Sequence, residues 1–470
     1  MDPFASALEL AAAIRRRELS PREVVDVYLE RIDRLNPELG AIVWRRDDEL
    51  RREADEAEDA LAAGEDVGPF HGVPMPIKDL TDVAGWPTTF GSRGAAARVA
   101  DVTSTVVERF RDAGFLLMAR TNTPEFGTVS VTENSLFGAT RNPWNPDHTP
   151  GGSSGGASAA VAAGLAPIAH ANDGGGSIRM PASCAGLVGL KPSRGRVSSG
   201  PVACDVMHGG AVEGCVSRTV ADTAAVLDAV SAFDPHAWYN APAPVRPFLE
   251  ETHEDPRRLR IAFTTRAPTG GPVDRECVTA VENAARLLDG LGHEVFEGAP
   301  AWPDESEFVP AFLVVWNTGS AYWDVDDWDA IEPLNAELRR QAAAMSSLDY
   351  VAGVLRLQAL SRQLVAAWGR DFDVLMTPTV AVLPPKVGYL FEGVDDPMVS
   401  IGRAAEMAPF TAMFNVSGQP AVSLPLHRSD GGLPVGVQLV GKPWGEAELL
   451  RLSAQIERAA PWRDARPPLV

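Results

Sequence analysis

Asp173-Gly174-Gly175-Gly176-Ser177-Ile178-Arg179, together with Pro150-Gly151-Gly152-Ser153-Ser154-Gly155-Gly156 shortly before it, is the stretch on which the fold and the chemistry turn. Both clusters precede or interrupt apolar sequence, so neither reads as a flexible linker. Glycines supply tight turns and close packing, and that structural role is the commoner one for a glycine-rich loop taken alone. Phosphate binding is disfavoured: no G-x-x-x-x-G-K-[ST] occurs, and no G-x-G-x-x-G stands between a strand and a helix.

Amide hydrolysis fits the clusters better. A neutral carboxamide is a poor electrophile, so a nucleophile must lose its proton as it attacks, and the oxyanion must meet preorganised donors. Three glycines ending in serine answer both needs, because successive N–H groups without neighbouring Cβ atoms can converge beside an exposed hydroxyl. Ser177 is therefore the candidate nucleophile, and the backbone N–H groups of Gly174, Gly175, Gly176 and Ser177 are the candidate oxyanion hole. Losing one such donor typically costs about 3–4 kcal/mol of barrier.

A base is also required. His71, His148, His170 and His208 lie near this stretch in the sequence, so a Ser-His-Asp arrangement stays open. Lysine is the other option. Lys78 ends the proline-stiffened run His71-Gly72-Val73-Pro74-Met75-Pro76-Ile77-Lys78, where burial would disfavour its ammonium form. To serve as a base near neutrality its pKa must fall from about 10.4 to about 7–8.

Lys78, the G-G-S-S-G-G at 151–156 and the G-G-S at 175–177 together resemble the amidase signature family. The resemblance continues through Arg141-Asn142-Pro143-Trp144, Gly186-Leu187-Val188-Gly189-Leu190-Lys191-Pro192-Ser193, and Phe414-Asn415-Val416-Ser417-Gly418-Gln419. It covers nearly the whole chain and is weakest between about 230 and 370. It implies the amidase-signature fold and a catalytic triad of Lys78, Ser153 and Ser177 that needs no metal or cofactor. In that scheme Lys78 takes a proton from Ser153, Ser153 takes one from Ser177, and Ser177 attacks to form an acyl-enzyme. It also implies a cis peptide bond between Gly152 and Ser153. Ser154 is read as a hydrogen-bonding support, and Asp173 and Arg179 as a pair holding the loop. Asn172 and Gly174 depart from a Thr-Asp-Thr run common in the family. The three-glycine version is similar to enzymes that hydrolyse linear or cyclic amides of aminohexanoate type.

Working outward, strands mixed with helices throughout the 470 residues indicate an α/β fold, a large sheet covered by helices on both faces. Residues 5–35 read as two amphipathic helices, with Ser20 as an N-cap and Glu23 completing a capping box. A highly charged helix follows from about Asp47 to Ala63, and 259–263, 374–376, 421–424 and 435–440 read as strands. The Pro- and charge-rich segment 232–258 is either a domain boundary or a surface crossing. The expected organisation is a single amidase domain over 1–470, with a catalytic core at about 65–225 and 370–460 and a variable pocket region at about 230–370. In that region Trp302, Trp316, Tyr322, Trp323 and Trp328 stand among Asp324, Asp326, Asp327 and Asp329. Such aromatics are more often core than pocket wall. A cationic substrate drawn by those carboxylates is the hypothesis they raise.

The formal net charge of −21 repels phosphate backbones and anionic lipids, which argues against nucleic-acid and membrane-surface partners. Four cysteines without a C-x-x-C pair read as small buried hydrophobes in a reducing compartment. The start lacks a basic n-region and residues 157–171 are too short to span a bilayer, so a cytoplasmic address is expected. The expected partner is a small-molecule amide, with a homodimer suggested by the resemblance. Three alternatives stand beside this reading: a glutaminase subunit of a tRNA-dependent amidotransferase, a catalytically silent binding protein, and an esterase. Met180 occupies a place where the first of these tends to carry glutamine.

Overall fold

The structure, a computed structural model, describes residues 1–319, 321 and 323–470. Its centre is an eight-stranded sheet. From one edge to the other the strands are Glu294–Glu297, Arg260–Phe263, Val374–Pro378, Pro434–Val440, Ala421–Arg428, Val188–Lys191, Val212–Ser217 and Ile168–Asp173. The first three run parallel and the remaining pairings are antiparallel, so the sheet is mixed. Strands from both sides of the 232–258 segment pair within this one sheet.

Alternation along the strands divides their side chains between two cores. Val374 and Met376 join a cluster with Cys277, Val281 and Leu288 of the helix Arg275–Gly290, whereas Leu375 between them joins Phe308, Val315 and Leu360 of helices on the opposite face. Each fully buried side chain of this size contributes about 1.5–3 kcal/mol relative to exposure. The expected covered α/β sheet is thus what forms.

A smaller three-stranded sheet, ordered Ile42–Arg45, Leu116–Thr121, Pro74–Lys78, lies beside it. Its strand Pro74–Lys78 abuts the edge strand Ile168–Asp173 of the large sheet, and the Lys78 N–H donates to His170 Nδ1 across the seam at 3.3 Å. Two helices, Ala7–Arg15 and Pro21–Leu39, precede the first strand of this sheet in the chain, the second starting where expected: Ser20 accepts from the Glu23 N–H while Glu23 accepts from the Ser20 N–H. The charged helix Asp47–Ala63 buries Leu50, Ala54 and Ala57 and turns its acids and bases outward.

All four cysteines are free; Cys184, Cys215 and Cys277 are buried, but Cys204 is only half-buried and faces the His236 carbonyl. The expectation of four buried thiols therefore fails at one, which lies in an irregular loop rather than in a strand or helix. Among the described residues no helix is long and apolar enough to cross a membrane.

Candidate active site

The seam between the two sheets is where the sequence-predicted residues meet. Lys78 is the last residue of its strand and is wholly buried. Its Nζ lies 2.7 Å from Ser153 Oγ, 2.8 Å from Ser154 Oγ and 2.7 Å from Asn172 Oδ1. Burial pulls its pKa down to about 7, against the opposing pull of the Glu213 and Asp173 carboxylates. His170 holds the Lys78 main chain from below: with Nδ1 accepting from Lys78, Nε2 carries the proton and donates to Glu213 at 2.7 Å.

Ser153 and Ser154 stand at the entrance of the helix Gly155–Ala162, and the Gly152–Ser153 peptide bond is cis. A Cβ at Gly152 would come within 2.5 Å of the Val131 carbonyl oxygen, so no larger residue fits there. Ser177 sits between the edge strand Ile168–Asp173 and the helix Arg179–Ala185. It is 5% exposed, and its hydroxyl makes no hydrogen bond among the described residues. Ser153 and Ser177 share the wall of a cavity of about 310 Å³ with Asn172, Gly174, Phe126 and Trp316.

The glycine run is pinned from one side. Gly176 has φ 133°, and a Cβ there would lie 2.5 Å from Thr411 Oγ1, which itself donates to the Gly175 carbonyl at 2.6 Å. The Gly176 N–H donates to Asp173 Oδ1 at 2.7 Å and so faces away from the cavity. The N–H groups of Gly174, Gly175 and Ser177 have no acceptor among the described residues. Of the four N–H groups expected to form an oxyanion hole, three are thus left unengaged within the described residues.

Asp173 and Arg179 form a fully buried bidentate pair, with Arg179 Nε and Nη2 donating at 3.0 and 2.9 Å. Arg179 also donates to Asn415 Oδ1 and Gln438 Oε1, and Asn415 Nδ2 donates back to Asp173. Burial alone would raise the Asp173 pKa, but the Arg179 guanidinium and the donors around it hold the carboxyl well below the usual range. Asp173 also accepts from the Gly176 and Ile178 N–H groups, so the pair is tied to the loop on both sides of Ser177.

None of the described histidines hydrogen-bonds Ser177; His71, His148 and His208 are engaged by Ala57, Pro384 and Tyr350. Of the aromatic group, Trp316 and Trp323 line the cavity, Trp328 packs beneath the Arg339 guanidinium, and Trp302 packs against Phe414 in the core. Tyr322 lies outside the described residues. Asp324 reaches the cavity wall, where it is paired with Arg98 at 3.1 Å. Among the described residues no three His, Cys, Asp or Glu side chains are grouped to hold a metal.

The family model described as Amidase matches residues 23–450 of this chain. The chain belongs to the amidase signature family. It is a hydrolase of carbon–nitrogen amide bonds other than peptide bonds. This amidase is 37% identical to a 6-aminohexanoate-cyclic-dimer hydrolase of Pseudomonas sp. (strain NK87), over 100% of its own length and 98% of that protein's. It is 35% identical to an acylamidase of Rhodococcus erythropolis, over 98% and 97% of the two chains. The solved structure of a 6-aminohexanoate cyclic dimer hydrolase complexed with substrate superposes with a TM-score of 0.94 at 37% identity, covering 100% of both chains.

Sequence reading missed four residues of this amidase's site. Asn172 was noted only as a departure from family habit, although His170 and Asn172 alternate on one strand and so share a face. Thr411, Asn415 and Gln438 come from the far end of the chain. Asn415 lies in one of the stretches that carry the resemblance, but nothing local to Thr411 or Gln438 announces a partner more than 200 residues away.

Proposed function

We propose that Ser177 is the nucleophile of this amidase, Ser153 its proton relay and Lys78 its base. The observation that carries the reading is the hydrogen-bond arithmetic at Lys78. A neutral amine has two N–H donors and one lone pair. Asn172 Oδ1 can only accept, and the Ser154 hydroxyl gives its own hydrogen to the Asn172 carbonyl at 3.3 Å, so it accepts too. Both N–H groups are thereby used. The lone pair is left for the Ser153 hydroxyl at 2.7 Å.

In this mechanism Ser177 Oγ attacks the substrate carbonyl carbon while its proton passes to Ser153 and the Ser153 proton passes to Lys78. The N–H groups of Gly174, Gly175 and Ser177 receive the oxyanion. Reversing the relay protonates the leaving nitrogen, the C–N bond breaks, and an ester to Ser177 remains. Water then enters by the same relay and releases the carboxylic acid. Asp173 and Arg179 keep the loop in place, and Ser154 orients Lys78.

The same reading takes the chain as one amidase domain over 1–470, with 65–225 and 370–460 supplying the reacting groups and 230–370 supplying pocket walls such as Trp316. Its substrate is a small linear or cyclic aliphatic amide, a class supported by the cyclic-dimer hydrolase likeness and the mostly apolar cavity. A cytoplasmic enzyme completes the proposal, supported by four free cysteines, and a homodimer is carried over from the family likeness.

The decisive experiment is mass detection of an acyl adduct on Ser177 after mixing with a panel of amides. An adduct that appears in the wild type and not in Ser177→Ala supports the nucleophile; turnover persisting in Ser177→Ala refutes it.

A further inference from the structure

A second cavity, of about 430 Å³, adjoins the catalytic one, and Gly174 and Met207 belong to the walls of both. A Cβ placed on Gly174 would stand 3.2 Å from Met207 Sδ, so the thioether rests against the glycine run at the boundary of the two chambers. Opening that boundary would more than double the space beside Ser177.

The segment that carries Met207 is held in an unusual way. Met207 and His208 both have left-handed backbones, at φ 54° and 53°. Non-glycine residues there cost about 1–3 kcal/mol each and persist where the surroundings impose them, often at ligand clamps. Here the surroundings are His208 Nε2 at 2.6 Å from the Tyr350 hydroxyl and Arg194 Nε donating to the Gly209 carbonyl at 2.9 Å. Met207 itself is only half-buried and is unbranched, with three rotatable bonds, so it can swing without its backbone moving.

The second chamber is amphiphilic. Phe312, Val315, Val354 and Leu357 make an apolar wall, and Gln358 and Arg362 stand at its exposed rim. Arg362 has no carboxylate partner among the described residues, whereas Asp205 on another wall is engaged by the Tyr239 hydroxyl.

We propose that this second chamber is a substrate subsite, entered past Met207, that takes the distal half of a chain-like amide ending in a carboxylate. The inference rests on the Ser177 mechanism above and adds the substrate's shape to it. A short amide fills only the first cavity and leaves Met207 in place. A longer one displaces the Met207 side chain, lays its methylene spacer along Phe312 and Leu357, and brings its terminus to Arg362. Met207 is then a specificity-determining residue.

The test measures kcat/KM for two series of amides, extended by two to eight methylenes on the acyl side in one and on the amine side in the other, each ending in a carboxylate. The probe for an intact site is labelling of Ser177 by a fluorophosphonate in every variant. In one of the series the long-to-short ratio should be about 10 or more in the wild type, the discrimination a few buried methylenes provide. Gln358→Trp, on the exposed rim, should lower that ratio about 10-fold, and Arg362→Glu should turn the preference from carboxylate to ammonium termini. Met207→Ala should raise the ratio for chains with branched ends. Ratios unchanged by Gln358→Trp and Arg362→Glu in both series, with labelling intact, overturn the subsite. Loss of labelling in the wild type would overturn the Ser177 mechanism instead.

Discussion

Two lysines of this amidase are wholly buried, and burial brings both to a pKa of about 7, yet only one is placed to do chemistry. Lys78, at the seam, meets two serine hydroxyls and an asparagine oxygen. Lys191, in the strand Val188–Lys191 of the large sheet, hydrogen-bonds among the described residues only the Pro192 carbonyl, at 2.8 Å, and lies within the field of Arg179 and Asp173. Desolvation therefore leaves a lysine neutral near pH 7, with a lone pair able to take a proton, but does not supply the neighbour that gives it. On the proposed mechanism, what separates the base from a buried structural amine is the hydroxyl on its lone pair.

The largest effects should break that comparison if it is wrong. Ser177→Ala should lower kcat by about 10⁴-fold or more, and Lys78→Met by about 10³-fold, with the fold intact by circular dichroism. Lys191→Met should stay within about threefold of wild type, and an equal loss at both lysines would erase the distinction.

Next in size is the pair beside Lys191. Arg179→Met leaves the Asp173 carboxylate buried without its cation and should cost about 3–5 kcal/mol in chemical denaturation. A cost below 1 kcal/mol would mean that the loop is held by other means.

A change of one atom sharpens the comparison at Lys78. Asn172→Asp puts a carboxylate where an amide oxygen now accepts from Nζ, which favours the ammonium form. In the wild type kcat/KM should rise with pH through about 7 as Lys78 loses its proton. In Asn172→Asp that limb should move to higher pH by about one unit or more, with activity recovering in alkali. A profile that stays put would detach Lys78 from the acid limb.

The smallest effect concerns stability. Both lysines have folded pKa values below their unfolded ones, so the unfolded chain binds more protons between about pH 7 and 10.5 and stability rises with pH across that window. Lys191→Met should flatten this rise without abolishing it, since Lys78 contributes its own share. An unchanged slope in a pH series of thermal melts would contradict the burial of Lys191.

Much of this was legible in the chain itself, for identifiable reasons. The G-G-S-S-G-G and G-G-G-S runs announce themselves because close backbone approach leaves room only for glycine, as at Gly152 against Val131. The capping box at Ser20 and Glu23 is local and was readable to the residue. The Gly176 N–H was misassigned because its direction depends on the Asp173 side chain, which a sequence does not orient. Asn172 escaped notice because its partner, Lys78, lies in a different sheet, and Gln438 because it is 259 residues from the arginine it receives. The acidic cluster near 324–329 looked like a charged pocket, but only Asp324 of it reaches the cavity, and there it shares the Arg98 guanidinium with Asp82. Composition counts charges without placing their partners.

The seam between the two sheets carries one more consequence. Lys78 and Ser177, the proposed base and nucleophile, belong to separately hydrogen-bonded sheets, so on that mechanism neither sheet holds a hydrolase by itself. Turnover should then disappear at lower denaturant than helical signal does, making catalysis a more sensitive gauge of how the layers dock than any spectrum of the backbone. In a half-finished chain, with the small sheet formed and the glycine loop not yet seated, the proposed mechanism would have a base without its nucleophile.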